Sequence, residues 1–147
     1  MPLSEKITED LKEAMKAKEK LRISCLRMLK SNLKNRQVEK GETLSDAEIQ
    51  SIISSMIKKG REAAKEFKEG GRADLAAKEE EEIKFLYSYL PEQLQPDEIE
   101  RIIKETISEL SAQGPKDLGR VMKAAMARIA GRAQGKEVNE IARKLLS

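Results

Sequence analysis

The sequence predicts an all-α protein, and three observations carry that prediction. Charged residues make up 37% of the chain against 39% hydrophobic, so the apolar side chains are confined to narrow helix stripes. Those apolar residues recur at three- and four-residue spacing, and no strand-like alternation runs longer than chance. Only four Pro and eight Gly occur, most of them where helices would start or stop.

Taken in order, a first helix is expected over Leu3–Ala17, capped by Ser4, with Leu3, Ile7, Leu11, Ala14 and Met15 on one face. A second, Lys20–Lys40, should end at Gly41 in a left-handed cap. On it Leu21, Cys25, Leu26, Met28, Leu29 and Leu33 share one arc, and Lys20, Arg27, Lys30 and Lys34 another. Ser45 and Glu48 have capping-box spacing, and Ile49, Ile52, Ile53, Met56, Ile57, Ala63, Ala64 and Phe67 follow as one helix ending at Gly70-Gly71. A fourth helix spans about Asp74–Tyr89, with the acidic run Glu79 to Glu82 in its first half.

Leu90 to Pro96 breaks the pattern twice with proline and marks a boundary. The expected organisation is a four-helix unit (residues 1–90), a linker (91–96) and a three-helix unit (97–147). In the second unit one helix starts at Asp97, another is opened by Pro115 and closed near Gly131, and the last covers Glu137–Leu146.

Charge is unevenly spread. The chain nets +3, yet residues 16–36 hold eight basic residues and one acidic, and residues 116–147 hold eight basic and three acidic. Such clusters are either phosphate-contact surfaces or solvated helix faces. The four aromatic residues, Phe67, Phe85, Tyr87 and Tyr89, fall outside both clusters, so nucleic-acid contact there would read backbone and shape rather than stacked bases.

Catalytic chemistry is poorly supplied. No histidine is present, so Ser-His and Cys-His pairs cannot be built. The single cysteine, Cys25, cannot form an intramolecular disulfide or a zinc framework and reads as a small core residue. Glu79 to Glu82 point about 100° apart successively and cannot converge on one ion. Gly131 to Lys136 contains Gly-x-x-x-Gly-Lys, one residue short of a P-loop, with Glu137 where Ser or Thr is needed. The expectation is no catalytic residue, metal or cofactor. The polar N-terminus and the lack of a long apolar run lead to an expected cytoplasmic protein without membrane contact.

Four motifs carry a family resemblance: Leu26-Arg27-Met28-Leu29-Lys30, Tyr89-Leu90-Pro91-Glu92-Gln93-Leu94, Lys116-Asp117-Leu118-Gly119-Arg120-Val121-Met122, and Gly131-Arg132-Ala133-x-Gly135-Lys136-x-Val138-Asn139. With them the chain resembles the YqeY proteins from end to end, and its C-terminal unit resembles the tail domain of the B subunit of the tRNA-dependent aspartyl/glutamyl amidotransferase (GatB). The pattern usually has Asp where this chain has Gln134. The resemblance implies a two-domain helical fold whose small domain, in the amidotransferase, contacts tRNA. Carried over to this sequence, it implicates Gly119, Met122, Gly131, Arg132, Ala133, Lys136, Val138 and Asn139. Of these, Gly119 and Met122 read as close packing and Val138 as core.

The expected RNA contacts are therefore Lys116, Arg120, Lys123, Arg132, Lys136 and Asn139, with Lys20, Arg27, Lys30 and Lys34 on the second helix. The leading expectation is a tRNA-binding or tRNA-metabolism accessory protein, with tRNA or another structured RNA as partner. A protein-protein adaptor using the basic faces is the alternative. A glutamine-dependent amidotransferase, a carbon-nitrogen ligase, ranks last.

Overall fold

A computed structural model describes all 147 residues. Every regular element is helical: α1 (Leu3–Ala17), α2 (Lys20–Lys40), α3 (Asp46–Glu69), α4 (Ala73–Tyr87), α5 (Pro96–Leu110), a 3-10 turn (Pro115–Asp117), α6 (Leu118–Ile129) and α7 (Gly135–Leu146). The chain divides into two compact units, Met1–Leu90 and Pro91–Ser147.

In the first unit the core is Ile7, Leu26, Leu29, Ile49, Ile53, Ile57, Leu86 and Tyr89, with Cys25 and Ile83 beside them. Burial of each such aliphatic side chain contributes about 1.5–3 kcal/mol. α3 and α4 form the most extensive pairing in the unit. Gly60 eases it: a Cβ there would stand 3.1 Å from Ile83 Cγ1, and that side chain would have to give by a few tenths of an ångström. The capping box of α3 forms as the sequence implies. The Glu48 N–H donates to Ser45 Oγ at 3.2 Å, and the Ser45 N–H donates to Glu48 Oε1 at 3.1 Å. Gly41 ends α2 at φ 79°.

Several expectations are corrected. Ser4 lies inside α1, not at its cap; the cap position is Pro2, whose carbonyl accepts from the Lys6 N–H. The Leu3 N–H instead donates 3.1 Å to Asp46 Oδ1 at the start of α3. Met15 and Met28, read as core from their periodicity, are 47% and 60% exposed. α4 ends at Tyr87, two residues early, and α7 begins at Gly135, two residues before Glu137.

The second unit encloses Ile99, Ile103, Val121, Ala125, Ile129, Val138 and Ala142. Pro115 opens a 3-10 turn rather than the α-helix itself, which starts at Leu118. Of residues 91–96, expected as a linker, Pro96 opens α5 and the rest are tied to this unit: the Leu94 N–H donates to the Arg132 carbonyl at 2.7 Å, and Gln93 Nε2 to the Gly131 carbonyl at 3.0 Å. α6 ends with Ala130 and Gly131 both left-handed, at φ 49° and 83°.

Candidate nucleic-acid interface

The cations of the second unit separate into engaged and free groups. Arg120 lies 3.4 Å from Asp117, whose carboxylate also accepts the Gln113 N–H at 2.9 Å. That backbone hydrogen bond is the main reason the Asp117 pKa is lowered. Arg128 bonds Glu109 and donates to the buried Thr106 hydroxyl at 3.2 Å. Lys104 pairs with Glu100 at 3.2 Å. Lys116, Lys123 and Lys136 are exposed and belong to none of these pairs.

Arg132 departs from expectation. Its Nε donates 2.8 Å to the Ile129 carbonyl and its Nη2 2.9 Å to the Arg128 carbonyl. The guanidinium thus satisfies carbonyls at the end of α6, where a cation also complements the helix dipole. Much of its donor set is already committed.

The glycine and loop positions sort differently from expectation as well. Gly119 is exposed, and a Cβ there would meet nothing within 4 Å, so close packing does not account for it. Met122 does pack against the core, and Ala133 and Val138 are buried in it. Asn139 is half-buried on α7. Gln134 occupies the cap position of α7 without a side-chain cap bond, 7% exposed, and its Nε2 has no hydrogen-bond partner. An Asp in that position would supply the missing acceptor for the first N–H groups of the helix.

The expected RNA contacts fall into groups rather than one cluster. Lys116, Arg120 and Lys123 lie at or before the first half of α6, whereas Arg132, Lys136 and Asn139 follow its end. α6 has 12 residues, and a helix of that length separates its ends by about 18 Å. Exposed Arg143 and Lys144 in the last turn of α7 were counted in the sequence charge but not selected.

In the first unit Lys20, Arg27 and Lys34 are exposed and Lys30 is half-buried along α2. A further concavity, missed in the sequence, lies between α3 and α4, with a volume of about 550 Å³; Arg61, Lys65, Lys68 and Lys84 line it together with Glu69, Glu80 and Tyr87. Arg61 donates to the Tyr87 hydroxyl and sits 5.4 Å from the ring centroid. The legible signal was Arg61, Lys65 and Lys68 at i, i+4, i+7, diluted by Glu62, Glu66 and Glu69. Lys68 is already paired with Glu80 at 2.6 Å.

Cys25 is buried, as its place on α2 implies, and burial pushes its thiol up to about 12. Glu79 and Glu82 also raise it. Such a thiol is protonated and a poor nucleophile. In the acidic run, Glu80 and Glu81 pair with Lys68 and Lys84, and Glu82 is half-buried with a pKa raised by burial and by Glu79. No group of three or more His, Cys, Asp or Glu side chains is placed to hold a metal ion. No helix is long and apolar enough to cross a membrane.

These features define a small all-helical protein with cationic helix faces. The chain belongs to the YqeY family: the family described as Yqey-like protein matches residues 4–146. It is similar to fungal proteins named altered inheritance of mitochondria protein 41, mitochondrial. The one from Lachancea thermotolerans is 30% identical over 112 residues, covering 74% of this chain and 60% of the relative. That from Pyrenophora tritici-repentis is 28% identical over 134 residues, covering 90% and 74%. That from Vanderwaltozyma polyspora is 30% identical over 107 residues, covering 71% and 58%. The chain thus spans about three fifths of the length of two of these relatives. Their names overturn the cytoplasmic location expected from the sequence, since all three are mitochondrial proteins. That expectation rested on the lack of an apolar leader, and such an absence specifies no compartment.

Proposed function

We propose that the protein binds structured RNA, with tRNA as the first candidate, through its second unit and as an accessory factor rather than a catalyst. The observation that carries this reading is the set of exposed cations left outside ion pairs there: Lys116, Lys123, Lys136, Arg143 and Lys144, with Arg101 on α5. Unpaired lysines are free to neutralise phosphates and release counterions. The resemblance of this unit to the amidotransferase tail domain supports the same direction. Four helices in one unit and three in the other, each around its own core, fit a two-domain protein in which this role is local to one domain.

The test is binding of unmodified tRNA by fluorescence anisotropy. Affinity should drop by more than about tenfold between roughly 50 and 200 mM salt, and the triple variant Lys116→Glu, Lys123→Glu, Lys136→Glu should remove it. Unchanged affinity in that variant, with helicity intact by circular dichroism, overturns the assignment. A protein adaptor is the second reading, favoured by apolar side chains exposed among the cations of α2.

A further inference from the structure

The α1–α2 hairpin carries a surface that RNA contact does not explain. A shallow groove of about 790 Å³ is lined by Met15, Ile23, Arg27, Met28, Lys18 and Lys20, together with Ser24 and Ser31. Met15 is 47% and Met28 60% exposed, and Val38 further along α2 is 74% exposed. Apart from Met1, these are the large hydrophobic side chains that the protein leaves in water. No acidic residue lines the groove, and none of its three cations forms an ion pair.

Each alternative occupant fails on one property. A phosphate backbone would use the cations and gain nothing from two thioethers. Single-stranded bases stack on aromatic rings, and the groove has none. A second copy presenting the same face would bring cations against cations. An acidic, amphipathic helix satisfies both halves of the surface: its apolar stripe covers Met15, Ile23 and Met28, and its carboxylates meet Lys18, Lys20 and Arg27. Methionine suits such a role because its flexible, polarisable side chain adapts to different apolar partners.

The length fits as well. The groove follows α2 from Lys20 to Ser31, about three turns, which accommodates anchors at i, i+3 or i+4, and i+7. Met28 also borders a second, mainly apolar cavity of about 280 Å³ that reaches Cys25, Met56 and Leu86. One anchor can therefore be buried more deeply than the rest, the usual arrangement of a dominant contact.

We propose that this groove docks an acidic amphipathic helix of a partner protein. The probe is a synthetic helical peptide about four turns long, with leucines at i, i+3/i+4 and i+7 and glutamates elsewhere. A permuted peptide of identical composition, with the leucine stripe broken, is the control. The striped peptide should bind at least about tenfold more tightly than the permuted one, and the double variant Met15→Ser, Met28→Ser should abolish that difference. Both side chains are exposed, and circular dichroism verifies that the fold is kept; Val38→Ser, outside the groove, should change nothing. Equal affinity for the two peptides, or an unaffected double variant, overturns the proposal. Two further outcomes also overturn it: tRNA affinity that falls with Met15→Ser, Met28→Ser assigns the groove to RNA, and self-association that this variant removes assigns it to a second copy.

Discussion

The hydroxyl of Tyr89 donates 2.6 Å to Asp10 Oδ2, joining the turn that follows α4 to the middle of α1 across 79 residues of sequence. Asp10 is also 3.5 Å from Lys6 and 3.9 Å from Arg22, and the Lys6 ammonium lies 6.0 Å from the centroid of the Tyr89 ring. Tyr89 is 5% exposed, so the hydroxyl has little water to fall back on. Tyr89→Phe removes a hydrogen bond to a charged acceptor and should lower unfolding free energy by about 1.5–3 kcal/mol in urea denaturation. A loss below about 0.5 kcal/mol would show that Lys6 and Arg22 hold Asp10 by themselves.

Cys25 supplies a chemical and a pH test. Its folded pKa is raised to about 12 from the ordinary 9.0, chiefly by burial. Between those values the unfolded chain gives up the thiol proton while the folded chain keeps it. Stability from this group is therefore complete below pH 9 and declines as pH rises toward 12. Tyr89, raised in the same direction by burial first, adds to the decline. Alkylation by iodoacetamide at pH 8 should be slow in the native protein and fast in denaturant; equal rates would contradict a buried thiol.

The start of α3 gives the acid counterpart. Glu48 accepts from Lys40 at 2.6 Å and from the Ser45 backbone at 3.1 Å, which holds its carboxyl down to about 2. Its contribution is present above the unfolded carboxylate pKa of 4.5 and disappears as pH falls toward 2. Ser45→Ala should cost about 0.5–2 kcal/mol. Glu48→Gln should remove part of the stability loss between pH 4.5 and 2, as followed by thermal melts; an unchanged acid profile would refute the link.

Gln134→Asp should stabilise the protein. The present side chain buries an unpartnered Nε2 at the cap of α7. Aspartate replaces an orphan donor with an acceptor for the N–H groups of the first turn, a gain of about 1 kcal/mol. A lower melting temperature would mean that Gln134 has a partner the isolated chain does not reveal.

Helix ends were legible wherever neighbouring residues set them. Ser45 and Glu48 are three apart and form their reciprocal bonds, to which Lys40 adds its ion pair with Glu48. Gly41 likewise ends α2. The start of α1 at Leu3 was legible but its cap was not, because the group that takes the Leu3 N–H is Asp46, 43 residues away. Periodicity placed Met15 and Met28 on apolar arcs, but a helix arc is wider than the partner that covers it. The same limit applies to the cationic residues. Sequence showed where charge collects, and only geometry showed that Arg132 turns back onto its own helix while Lys123 and Lys136 stay free.

The bonds from Leu94 and Gln93 to the carbonyls of Arg132 and Gly131 have a practical meaning for dissecting the molecule. A fragment begun at Asp97, where the last three helices start in the sequence pattern, would discard both donors and uncover the turn that carries the Gly131 motif. One begun at Pro91 retains them, along with the contact of the Pro91 ring, 3.8 Å from where a Gly131 side chain would begin. The proline-bounded stretch that reads as a spacer is the N-terminal arm of the second unit, and expression boundaries belong on its far side.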